Sequence, residues 1–142
     1  MSENETRAVV VGRVSTRKQA SGWGMQRQIE IGKKYANERG WTVVKTIEQV
    51  GSAVSSKLAE EAIVNAREVG ARWIIYEQMD RLMRGESSII PVMLCVYGMR
   101  AVVVHPSQWR FGRWSPIVHG EEDVVTHEEY LRAIWGQEEE GS

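Results

Sequence analysis

Short β-branched runs, set apart by helical segments that each stop at a glycine, constrain this chain more than any other feature. The runs are Arg7–Val14 (RAVVVGRV) and residues 41–50, 72–77 and 101–105, and each reads as a strand. Between them, residues 25–39 place Met25, Ile29, Tyr35 and Ala36 at mostly helical spacing. Residues 57–69 carry Leu58, Ala62, Ile63, Ala66 and Val69 on one stripe. A third helical segment runs from Ser87 or Ser88 to Tyr97, with Pro91 tolerable only in its first turn. Gly40, Gly70 and Gly98 stand where these segments must end.

Strands alternating with helices predict right-handed crossovers and a largely parallel sheet. The expected fold is a single α/β domain, with a four- to five-stranded, mostly parallel sheet and helices on both faces. In such sheets reacting groups collect beyond the carboxyl ends of the strands. Those ends are residues 13–15, 50–52, 77–80 and 105–107. From residue 108 the pattern decays. The expected division is therefore a catalytic-type domain over 1–108 and an extension over 109–142, first aromatic and basic, then acidic and partly helical.

At 142 residues the chain suits one domain with its own core. A single cysteine excludes a disulfide framework and points to a reducing, cytoplasmic compartment. No apolar run approaches the ~18–20 residues of a membrane span, and the polar residues 1–6 do not read as a secretory leader. Cys95 reads as buried and inert, and Met93, Leu94 and Tyr97 as core or a subunit contact. His105, His119 and His127 lack metal-ligand spacing, and no glycine-rich phosphate loop is present, so neither metal nor nucleotide cofactor is expected.

The net charge of −1 argues at first sight against a nucleic-acid partner, but it is a cancellation. Residues 1–114 hold 17 Lys/Arg and 11 Asp/Glu, a charge of +6; residues 115–142 hold one Arg and eight Asp/Glu, a charge of −7. A basic body carries an acidic tail, and a phosphate-bearing partner is compatible with the body.

Two constellations in that body bear chemistry. In Gly12-Arg13-Val14-Ser15-Thr16, an arginine two residues before a serine at a strand end sends both side chains to one face. A serine hydroxyl attacks well only beside a base or in a cationic field, which Arg13, Arg17, Lys18, Arg81 and Arg84 can supply. The plainer reading is a Ser/Thr turn with solvated basic residues. In Met79-Asp80-Arg81-Leu82-Met83-Arg84, Arg81 and Arg84 share a face on a helical turn and can clamp a phosphate. Asp80 can orient an arginine or donate a proton. Here the plainer reading is a surface ion-pair cluster.

Arg13-Val14-Ser15-Thr16 with Gln19, Gln28 in the next segment, and Asp80-Arg81-Leu82 with Arg84 occur in an informative order. Gly40-Trp41 and Gly98-Met99-Arg100-Ala101-Val102 precede the second and fourth strands. Over residues 6–108 the chain resembles the catalytic domain of the serine site-specific recombinases, the resolvase/invertase family. The resemblance implies cleavage of DNA by serine attack on a phosphodiester, giving a 5′-phosphoserine linkage and a free 3′ hydroxyl. It further implies a homodimer assembling to a synaptic tetramer, and resealing without ATP, metal or other cofactor. By position, Ser15 matches the nucleophile, and Arg13, Arg81 and Arg84 match the phosphate-binding arginines. Asp80 matches the motif acid and Gln19 a polar active-site residue, while Arg17, Lys18 and Lys57 are implied DNA contacts.

Three departures stand against the family pattern. Val11 replaces the usual Tyr two residues before the first Arg. After Gly51-Ser52, Lys57 stands where another catalytic Arg belongs, keeping the charge but losing the bidentate fork. The chain also turns acidic where the family continues into a long helix and a DNA-binding domain, and phosphate neutralisation dominates DNA affinity. Two other readings follow: a resolvase-like interaction module whose catalytic site has drifted, and a small-anion- or nucleotide-binding flavodoxin-like domain.

Overall fold

The computed structural model describes residues 3–20, 22–52, 54–82, 89–105 and 117–119. A 3-10 turn at Glu3–Thr6 leads into β1 (Arg7–Val14), followed by α1 (Arg17–Ala20), α2 (Trp23–Glu38) and β2 (Thr42–Val50). Then come α3 (Lys57–Glu68), β3 (Trp73–Gln78), α4 (Met79–Leu82), α5 (Ile89–Val96), β4 (Arg100–His105) and β5 (Ile117–His119). The strands form one sheet in the order β2-β1-β3-β4-β5, and every pairing is parallel. The α/β expectation therefore holds. β5 lies beyond residue 108 and pairs with β4 through Ala101↔Ile117, Val102↔Val118 and Val103↔His119.

Side-chain alternation along the strands divides the core in two. Val9, Val11, Ile74, Tyr76, Ala101 and Val103 face Ala62 and Ile63 of α3 and Ile90 and Leu94 of α5. Ala8, Val10, Trp73, Ile75 and Val102 face Ile29, Tyr35 and Ala36 of α2. Helices thus cover both faces, as the β-branched runs require. At the amino edge, Trp41 stacks on Trp73 with centroids 4.3 Å apart, and Trp73 Nε1 donates to the Glu5 carbonyl at 2.8 Å.

The approach of α2 to β1 depends on Gly32, where a Cβ would fall 2.4 Å from Val10 Cγ1. Val10 is fully buried and cannot move aside. Gly32→Ala is expected to destabilise the fold by ~1–3 kcal/mol through overpacking, read as a lower midpoint in urea or heat. An unchanged midpoint would mean that α2 can slide outward at no cost.

The segment after β3 begins with a helical turn, α4, whose Leu82 folds back into the α3-side core. One expectation needs correction. Cys95 is exposed rather than buried; partial desolvation still raises its thiol pKa. Leu94 is core, with Met93 and Tyr97 packed partly against it. Among the described residues, no helix is long and apolar enough to cross a membrane. Of the extension over 109–142 only residues 117–119 are described; its aromatic-basic start and the rest of its acidic, partly helical part lie outside the described residues.

Candidate active site

The ends of β1, β2 and β3 meet at the carboxyl edge, and Arg13 ties the first two together. Arg13 is 1% exposed, and its Nη1 donates to the Gly51 carbonyl just past β2. Its backbone N–H donates to Gln28 Oε1 at 2.8 Å, and its carbonyl accepts from Gln28 Nε2 at 3.0 Å. β3 accompanies β1 only as far as Val11↔Tyr76. The Gln28 amide, reaching from α2, therefore takes the place of a strand for the last residues of β1. Beyond this anchor, Ser15, Thr16, Arg17 and Lys18 are all exposed.

The loop after β2 is built from small residues that satisfy their own backbone. Gly51 N–H donates to the Val14 carbonyl at 2.9 Å, Val54 N–H to Ser52 Oγ at 3.1 Å, and Lys57 N–H to Ser55 Oγ at 3.1 Å. Gly51 has φ 146°, a conformation nearly restricted to glycine, and a Cβ there would sit 3.0 Å from Leu58 Cδ1. Gly51→Ala is expected to cost ~1–3 kcal/mol of stability. It should also loosen the carbonyl that holds Arg13, so the midpoint of thermal unfolding should fall. Lys57 is exposed and opens α3, where the helix dipole gives a cation no advantage.

At the end of β3 sits a residue that the sequence reading passed over. Glu77 is 2% exposed and takes two arginines. Arg27 of α2 places Nε 3.1 Å from Oε2 and Nη2 3.5 Å from Oε1; Arg81 of α4 places Nε 3.5 Å from Oε1. A buried carboxylate requires such partners. The usable signal is a lone acid closing the apolar run WIIYE, four residues before Arg81. Because Leu82 enters the α3-side core while Arg81 meets Glu77, α4 lies across the carboxyl edge.

Arg13, Ser15, Arg17, Lys18, Lys57 and Arg81 thus belong to strand ends, or to segments leaving them, on one edge. Gln19 lies on α1 and Asp80 on α4 by backbone position, and Arg84 lies outside the described residues. Where the family pattern has Tyr, Val11 faces Tyr76 in register on the next strand. The Tyr76 hydroxyl is buried and has no hydrogen-bond partner among the described residues, and desolvation pushes its pKa far up, so it stays neutral. Among the described residues, no group of three or more His, Cys, Asp or Glu could hold a metal ion.

The model of the family described as "Resolvase, N terminal domain" matches residues 8–97. The chain belongs to the resolvase family. No curated protein sequence matches it significantly. Among solved structures, this resolvase-family chain is similar to the C-terminal catalytic domain of ISC1926 TnpA, an IS607-like serine recombinase. The two share 25% identity with TM-score 0.58, over 73% of this chain and 71% of that one. It is also similar to the C-terminal catalytic domain of IS1535 TnpA, likewise an IS607-like serine recombinase, at 29% identity and TM-score 0.54, over 68% and 69%. The N-terminal catalytic domain of TP901-1 integrase shares the fold over 95% of this chain and 96% of its own, with 19% identity and TM-score 0.62.

Proposed function

We propose that this resolvase-family domain cleaves and rejoins DNA in site-specific recombination, with Ser15 as the nucleophile. The observation that carries the reading is an exposed serine two residues beyond a buried, anchored arginine, on the sheet edge that also bears Arg81. Two structural neighbours described as serine recombinases support it.

In the proposed reaction, Ser15 Oγ attacks the scissile phosphorus, a P–O bond to serine forms, and the bond to the 3′ oxygen breaks. The serine proton leaves to solvent or a nearby base, and the 3′ oxygen takes up a proton as it departs. Rejoining reverses these events, so the ester bond energy is retained and no nucleotide is consumed. Arg81 is assigned to stabilise the equatorial oxygens, a role extended to Arg84 by its place in the motif. Arg13, buried and held by the Gly51 carbonyl, is assigned to contribute its charge to the same site. Gln19 and Asp80 are assigned to polar contacts and to orienting arginines, and Arg17, Lys18 and Lys57 to flanking phosphates. Residues 1–108 are taken as the catalytic unit, acting on the nucleoid as a homodimer that pairs into a synaptic tetramer.

The test is a nicked duplex that traps the cleaved state. A protein–DNA band resistant to denaturant should appear, and mass spectrometry should place the nucleotide remnant on the peptide containing Ser15. A remnant on another residue, or no band, would sink the assignment.

A further inference from the structure

Two arginines converge on the buried carboxylate of Glu77, Arg27 from α2 and Arg81 from α4. Arg27 meets the carboxylate side-on, through Nε at 3.1 Å and Nη2 at 3.5 Å, which fixes the plane of its guanidinium. The same side chain is 45% exposed, so it presents its outer edge to solvent. A guanidinium has five N–H donors, and this contact uses two of them. Its neighbour Gln28 holds the backbone of Arg13, so Arg27 is tied to the strand end that carries Ser15.

We infer that Arg27 is a further phosphate-binding arginine of this edge, and that Glu77 is the positioning residue that aims Arg27 and Arg81 together at the DNA backbone. The inference rests on the recombinase reading above and extends it to a residue of α2. Arg27 takes the non-bridging oxygens of a backbone phosphate flanking the scissile one. Because Glu77 orders both side chains before DNA arrives, less rotamer freedom is lost on binding. A merely structural ion pair would also hold α2 to β3, but it would contribute nothing to the salt dependence of DNA binding.

Two measurements on the full chain decide the matter. Fluorescence anisotropy with a labelled duplex, repeated across salt concentrations, gives the slope of log Kd against log salt. Losing one phosphate contact flattens that slope by ~0.9, which is the change expected for Arg27→Gln. For Glu77→Gln, the rate of adduct formation at saturating nicked DNA is expected to fall roughly 10-fold or more through misaimed Arg81. Glu77→Asp keeps the charge and should recover part of that rate. An unchanged slope in Arg27→Gln overturns the Arg27 assignment. A folded Glu77→Gln protein with the wild-type rate overturns the positioning role. Should Glu77→Gln fail to fold, Glu77→Asp decides instead: the shorter carboxylate should lower the rate in folded protein, and a wild-type rate overturns the role. A wild-type chain that binds DNA but forms no adduct would sink the recombinase reading, while the slope would still decide Arg27.

Discussion

Alanine at Ser15 is expected to abolish covalent protein–DNA adducts while leaving the fold and the DNA affinity close to wild type. The hydroxyl lies on an exposed residue past the end of β1, so its removal should alter stability by no more than ~0.5 kcal/mol. Affinity should survive because phosphate contacts by basic side chains dominate binding, and Ser15→Ala removes none of them. The covalent step is different. Without Oγ no bond to phosphorus forms, so the loss should be complete rather than graded. Thr16 is exposed beside it and provides an internal control. Its hydroxyl branches from a secondary carbon and lacks the two-residue relation to Arg13. Adducts that persist in Ser15→Ala and map to Thr16 would move the nucleophile by one residue. Loss of binding together with adducts would show instead that Ser15 serves the loop and not the chemistry.

Much of the fold is legible in the sequence because its strands are buried on both faces. Arg7–Val14 has the bounds that its β-branched run predicts, since both cores need apolar residues there. The helix stops at Gly40, Gly70 and Gly98 are equally plain, and all three have φ near +70°. β5 is different: three residues between Pro116 and Gly120 form too short a run to stand out, and only pairing with β4 defines it. The exposure of Cys95 escaped for a related reason. α5 reads IIPVMLCV with no charged residue, so periodicity cannot say which face turns outward.

The candidate site divides along the same line. Ser15, Arg13 and Arg81 belong to short local motifs whose spacing survives in a linear reading. Glu77 and Arg27 lie 50 residues apart, and no local pattern links them until the fold brings α2 over the end of β3. Gln28 falls between these cases. Its place in the motif series is visible, but its work, bridging both backbone groups of Arg13, requires the parallel sheet to exist first.

Gln28 is 1% exposed and supplies Arg13 with both an acceptor and a donor. Gln28→Ala leaves a buried N–H and a buried carbonyl at the point where β3 no longer accompanies β1. Each unsatisfied group costs ~1–3 kcal/mol, with some relief where water can enter. The expected loss is therefore ~2–4 kcal/mol, a fall of roughly 10 °C in Tm for a domain of this size. Gln28→Glu separates the two bonds. Its carboxylate can accept from the Arg13 N–H but has no proton for the Arg13 carbonyl, and the charge itself would be buried. It should therefore also destabilise at neutral pH and recover as the carboxyl is protonated on acidification, because a protonated carboxyl can donate. Adduct formation should fall in the folded fraction of both variants, since Arg13 and the loop bearing Ser15 lose their fixed support. A Gln28→Ala protein within ~0.5 kcal/mol of wild type would mean that water replaces the amide fully, and that Arg13 keeps its place without the Gln28 amide.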